Sequence, residues 1–225
     1  MESETPYLPP GLRDLDLTQL TPLKRTSNNL CLYGPPGTGK TLETTHEGFW
    51  RYIEGDGVFA NYPLLFPNDP DEGFYQATYF DKLPKLNEDL DDCESKRKLI
   101  IGDDFERYAS SKFKYNLEKK DLVDIILDWG KQNIDFIWTC KRPLEVDKSI
   151  RGPTLNYARI SKYLKVMPKT IQEYEFYKEY LDFYYLEIML MDLETGLPLE
   201  IKNLDNLPLW AKWYDTTWKV SGFKK

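Results

Sequence analysis

At 225 residues, with 41% apolar and 15% aromatic side chains, the chain is long enough for one α/β domain with a modest extension and too apolar for a disordered polymer. Its 37 acidic against 30 basic side chains leave a net charge of −7, which excludes a global attraction to nucleic acid or anionic membrane; any DNA contact needs a local basic patch. Cys31, Cys93 and Cys140 lack metal-ligand spacing and read as reduced thiols, and no apolar run nears the roughly 20 residues that span a bilayer.

In chain order, Met1 to Pro6 shows neither the positive start nor the apolar stretch of a secretion signal, so a soluble, cytoplasmic protein is expected. Residues 1–27 are polar and punctuated by proline, an irregular arm. The run Asn29-Leu30-Cys31-Leu32-Tyr33 predicts a buried strand that stops at a Gly-Pro-Pro-Gly turn, and residues 40–53 predict a helix. Val58 to Tyr62 is a second strand ended by Pro63, and the prolines of residues 63–80 predict a loop. The charged stretch from Asp81 to Lys98 reads as one or two surface helices. Leu99-Ile100-Ile101-Gly102 is the third strand, ending in Asp103-Asp104.

Leu122, Ile125, Ile126 and Trp129 recur at helical spacing, Ile134 to Thr139 is the fourth strand, and Tyr157 to Val166 the fifth. This alternation predicts an α/β fold with a mostly parallel central sheet flanked by helices, over a core of residues 28–168. Residues 169–225 form an extension: a helix with a capping box from Thr170 to Glu173, then a β-hairpin turning at Glu194-Thr195-Gly196. The lone histidine, His46, falls on the first helix and reads as a packing or surface residue.

The chemistry concentrates at Gly34-Pro35-Pro36-Gly37-Thr38-Gly39-Lys40-Thr41, a full P-loop pattern with strand before and helix after. Glycines let backbone N–H groups converge on a phosphate, and the following helix points its N-terminus at the same anion. Lys40 is expected to reach the β- and γ-phosphates of ATP, the Thr41 hydroxyl to ligate Mg2+, and Leu42 to close the binding segment. Asp103 is assigned to the metal and Asp104 to the attacking water, with Glu106 as a rival base. Thr139, at the tip of the fourth strand, is placed to sense the γ-phosphate or the water; the alternative is an ordinary β-branched strand residue.

Thr139-Cys140-Lys141-Arg142-Pro143, then Val146 to Gly152, then Pro153-Thr154 and Arg159-Ile160, resemble the segment after the fourth strand of FtsK–HerA ATPases. The layout is similar to genome-packaging ATPases of tailless double-stranded DNA viruses and to Zot-like assembly ATPases of filamentous phages, over about residues 29–166. Two positions depart from the pattern: Asp104 stands where the family has glutamate, and Cys140 where it has glutamine. The P-loop wording is also that of AAA+ proteins, whose helical lid is hard to place in a tail that reads as a hairpin.

The resemblance implies a RecA-like ATPase acting as a hexameric ring that moves double-stranded DNA, in host cytoplasm or on a virion. It also implies an arginine that completes a neighbour's site. Arg142, Arg151 and Arg159 are candidates, and Arg159 fits the pattern best. Arg107 to Tyr115 is basic and aromatic, either a DNA-contacting channel loop or an exposed polar loop. Trp210 to Thr217 is strand-edge packing or a contact to a subunit, capsid or portal protein. Two other functions remain open: an assembly ATPase that moves protein, and a P-loop small-molecule kinase.

Overall fold

The computed structural model describes residues 29–67, 74–76, 78–79, 83–107, 109, 126, 128–129, 132–154, 156–192 and 194–214. The arm at 1–27, most of the stretch from Arg107 to Tyr115, Leu122, Ile125 and residues 215–217 lie outside them.

The first strand, β1 (Asn29–Tyr33), feeds the P-loop, and helix α1 (Lys40–Ile53) follows it. Next come β2 (Gly57–Ala60), three short strands β3 (Leu65–Pro67), β4 (Phe74–Gln76) and β5 (Thr78–Tyr79), and helix α2 (Leu83–Asp92). Strands β6 (Lys98–Gly102) and β7 (Ile134–Cys140) precede a one-turn helix α3 (Lys148–Arg151) and the long β8 (Asn156–Leu164). The chain ends with α4 (Ile171–Tyr177), the hairpin β9 (Tyr184–Met191) and β10 (Pro198–Leu204), and α5 (Leu207–Ala211).

Eight strands form one sheet in the order β10-β9-β8-β1-β7-β6-β2-β5. Every pair from β8 to β5 is parallel, and β8–β9 and β9–β10 are antiparallel. The hairpin therefore continues the sheet. The loop expected over 63–80 contains structure: β3 and β4 pair with each other, and β5 adds a parallel edge strand to β2. Prolines at 63 and 67 disguise β3, since proline is tolerated at strand ends and edges, where a ladder N–H is dispensable, and β4 and β5 are too short to show alternation.

The two faces of the sheet are separate cores. Leu30 and Leu32 of β1, Leu99 and Ile101 of β6, and Leu186, Ile188 and Leu190 of β9 pack toward α1 and α5. Cys31, Ile100, Phe136, Trp138 and Tyr157 face the other way, over Leu86 and Leu90 of α2 and Trp129. On α1 the buried stripe includes Leu42 and Phe49, and His46 is a packing residue: it accepts a hydrogen bond from Trp50 Nε1 at 3.0 Å and meets Trp210 edge-on at 4.8 Å. Arg51 closes the far end of α1 through ion pairs to Asp56 and Asp135. This packing fixes the C-terminal ends of β1, β6 and β7 side by side, where ligands bind in open parallel sheets.

Candidate active site

Between β1 and α1 the chain turns through Gly34–Gly39. Gly39 is the N-cap of α1 in the left-handed region (φ 92°, ψ 20°), and no side chain among the described residues caps the helix. The first-turn N–H groups are thus left for an anionic ligand, aided by the helix dipole. Two glycines also owe their identity to close packing. A Cβ on Gly34 would lie 2.6 Å from the Ile160 carbonyl oxygen, and one on Gly39 would lie 2.6 Å from Leu186 Cδ2. Strands β8 and β9 therefore pack closely against the loop.

Lys40 is buried, and its ammonium donates to the carbonyls of Gly34 at 2.9 Å and Pro35 at 3.1 Å. Thr38 braces the loop by donating to Pro35 O at 2.9 Å. Leu42 puts its side chain into the core while its segment borders the cavity.

Across the loop, Asp103 and Asp104 end β6. The Thr41 hydroxyl donates to Asp103 Oδ2 at 3.0 Å, and the Thr139 hydroxyl donates to Asp103 Oδ1 at 2.6 Å. Thr139 Oγ1 also accepts from the Asp104 N–H at 2.8 Å. Its side chain is fully buried, so in this structure the hydroxyl is taken up in holding the acidic turn. Asn61, at the end of β2, grips the same turn from the other side. It donates Nδ2 to Asp103 O at 2.9 Å and accepts the Asp103 N–H at 2.7 Å.

Asp104 adopts a left-handed backbone (φ 48°), a conformation that aspartate tolerates better than most residues, and its carboxylate pairs with Arg107 at 3.0 Å. Glu106 sits elsewhere: one carboxylate oxygen is buried without a hydrogen bond among the described residues, and it does not border the cavity. Burial raises its carboxyl pKa first, and the charge of Asp104 adds to this.

The cavity over the P-loop measures about 520 Å³. Among the described residues, Lys40, Arg107, Lys141 and Lys162 border it together with only two carboxylates, Asp103 and Asp104. Lys162 is steadied over the Tyr184 ring at 4.6 Å. Four cations against two anions suit a polyanion, and the volume suits a small ligand.

The acidic end fits a hard divalent cation. Thr41 Oγ1 and Asp103 Oδ2 are oxygen donors, and burial pushes the Asp103 carboxyl above its ordinary range, a penalty that a bound cation would relieve. Among the described residues no group of three or more His, Cys, Asp and Glu could hold a metal. Magnesium needs none, since it is bound by one or two protein oxygens with substrate phosphates and water.

The structure thus brings together Lys40, Thr41, Asp103, Asp104 and Thr139, and leaves Glu106 at the side. Arg159 is exposed on β8 beside Tyr33, outside the cavity. Asn61, Lys162, Leu181 and Tyr214 also belong to the site's surroundings, although sequence reasoning does not assign them there. Only Asn61 carries a local signal, as a polar residue closing an apolar strand.

No family model matches the sequence, and no curated protein does. Among solved structures, the chain is similar to the N-terminal domain of zonular occludens toxin from Neisseria meningitidis, with a TM-score of 0.51 and 16% identity over 85% of this chain and 100% of that one. It is similar to a second solved ATPase domain, with a TM-score of 0.50 and 12% identity over 85% of this chain and 86% of that one. A weaker likeness is to the genome-packaging NTPase B204 of Sulfolobus turreted icosahedral virus 2, in complex with ATP-gammaS, with a TM-score of 0.46 and 10% identity over 78% and 96% of the two chains. The fold is that of P-loop ATPases with a RecA-like sheet. Among the described residues no helix is long and apolar enough to cross a membrane.

Proposed function

We propose that this chain is a magnesium-dependent ATPase that translocates double-stranded DNA as a homo-oligomeric ring, of the kind that packages viral genomes. The observation that carries the ATPase reading is the Lys40–Thr41–Asp103 arrangement, with Thr41 bonded to Asp103 at 3.0 Å inside a cavity of net positive charge. The Lys40 ammonium exchanges its two carbonyl partners for the β- and γ-phosphate oxygens, stabilising charge that builds there in the transition state. The N-terminus of α1 holds the phosphates in place. Thr41 and Asp103 would hold magnesium, which would supply positive charge to offset that of the phosphates.

Asp104 is the residue proposed to orient and deprotonate the attacking water, because it borders the cavity and Glu106 does not. Thr139 and Asn61 keep the Asp103–Asp104 turn in register. Arg159, exposed and outside its own cavity, is the candidate for completing a neighbour's site.

The DNA reading is supported by the resemblance of residues 139–160 and by the basic composition of Arg107 to Tyr115. A specific observation favours a second reading, a motor for protein or virion assembly. The net charge is −7, and Met167, Ile171, Leu197, Leu199 and Ile201 are exposed apolar side chains of the sort that mark protein contacts.

Phosphate release by the purified protein, with magnesium and with or without long double-stranded DNA, tests both readings beside Lys40→Ala. Hydrolysis is expected to fall at least about 100-fold in the variant. Stimulation by DNA at moderate salt supports translocation. Lys40-dependent hydrolysis that ignores DNA moves the assembly reading ahead, and hydrolysis indifferent to Lys40 removes the ATPase reading.

A further inference from the structure

The C-terminal segment returns to the cavity. After β10 the chain crosses α1 as α5, where Trp210 is fully buried against His46 and Phe49. Trp213 packs on the Phe49 ring at 4.6 Å, and its carbonyl accepts the Leu65 N–H at 2.9 Å. Tyr214 then bridges Leu64 in antiparallel fashion and stands edge-on to Tyr62 at 6.1 Å. The result is a half-buried phenol in the wall of the cavity that Lys40, Thr41 and Asp103 also border.

The two tyrosines differ in what their hydroxyls can do. Tyr62 is buried and engaged, at 2.8 Å from the Thr44 hydroxyl. Tyr214 has its hydroxyl taken by no group among the described residues. A tyrosine hydroxyl is a neutral O–H donor at neutral pH, and burial first and the Asp103 charge second only push its pKa further up. A donor beside an acidic metal-binding turn, in a cavity lined for a polyanion, has a natural acceptor in the ligand itself.

We propose that Tyr214 is a nucleotide-contacting residue whose hydroxyl donates to a phosphate oxygen of the bound nucleotide, so that docking of Leu207–Tyr214 and nucleotide binding favour each other. This inference rests on the nucleotide reading above. The coupling is reciprocal by linkage: what nucleotide gains from the docked segment, the segment gains from nucleotide.

Tyr214→Phe keeps the ring against Tyr62 and removes only the donor. Binding of a non-hydrolysable ATP analogue with magnesium is expected to weaken about 10- to 100-fold, the usual worth of a hydrogen bond to a charged group. In the unaltered protein the same analogue is expected to slow amide exchange at Leu65 and across residues 207–214, and this protection is expected to shrink in the variant. The exchange measurement on the unaltered protein stands even if the variant proves unstable. Unchanged affinity in Tyr214→Phe, or no protection at 207–214 in the unaltered protein, overturns the inference. Lys40→Ala separates the failures. If analogue binding depends on Lys40 while Tyr214→Phe is silent, only the Tyr214 contact falls; if the unaltered protein binds no nucleotide, the parent reading falls with it.

Discussion

Strands β1, β2, β6 and β7 bury side chains on both faces, whereas β9 buries every second residue and β10 leaves Leu199 and Ile201 exposed. The first group is parallel, and its C-terminal ends carry Lys40's loop, Asp103 and Thr139. The second is antiparallel and carries none of the proposed hydrolytic groups. It supplies Leu186 behind Gly39 and leads through Leu204 into α5. The contrast points to the antiparallel half as a buttress: it packs closely against the P-loop and leads into the segment that brings Tyr214 to the cavity.

The strongest way to break that comparison is to cut the buttress. Leu186→Ala is expected to destabilise by about 2–5 kcal/mol through loss of buried contacts and the cavity left behind. Gly39→Ala is expected to cost about 1–3 kcal/mol, because the left-handed backbone and the 2.6 Å approach to Leu186 both oppose a Cβ. Combined, the two should destabilise by less than their sum, with a coupling above about 0.5 kcal/mol, since the smaller side chain makes room for the new methyl. Denaturant unfolding of the four proteins measures this, and simple additivity would mean that β9 does not shape the loop.

Asp103→Asn sharpens the comparison from the parallel side. The folded Asp103 carboxyl has a raised pKa, with burial the leading cause. Between the unfolded and the folded pKa the folded state therefore retains a proton that the unfolded state has released. Its stabilising contribution is fully present below the unfolded pKa and is lost as pH rises through the folded value. Without metal at neutral pH, Asp103→Asn is expected to raise the melting temperature, because the variant buries no charge. Magnesium should stabilise the native protein and not the variant. A melting temperature that falls in the variant would show that the carboxylate is needed to hold the Thr41 and Thr139 hydroxyls.

The smallest effect belongs to the outer strand. Leu199→Ser on β10 is expected to change unfolding free energy by less than about 0.5 kcal/mol, as for other exposed positions. A larger loss at micromolar concentration, absent on dilution, would reveal that a second chain covers this edge.

Several of these features are legible in the chain itself. Gly34 to Thr41 identifies its own conformation, because glycine spacing, the lysine and the flanking strand and helix patterns lie within one local segment. The strands at 29–33, 98–102 and 134–140 declare themselves as apolar runs, since burial on both faces removes alternation. The short strands β3 to β5 do not, because prolines flank β3 and because two or three residues are too few to show a period. The face and partners of Thr139 are also beyond reach: a β-branched residue at a strand end reads alike whether its hydroxyl faces a ligand or a neighbouring aspartate.

What the sequence determined by itself is the phosphate loop, the acidic strand end and the parallel α/β class, all encoded by residues close together in the chain. What only the tertiary structure decided is which remote side chains complete the site. Asn61 reaches Asp103 across 42 residues, and Tyr214 comes to the same cavity as Lys40 by crossing α1. Such meetings depend on strand order and helix packing, which arise from the burial of the whole apolar surface and leave no periodic trace at the residues that meet.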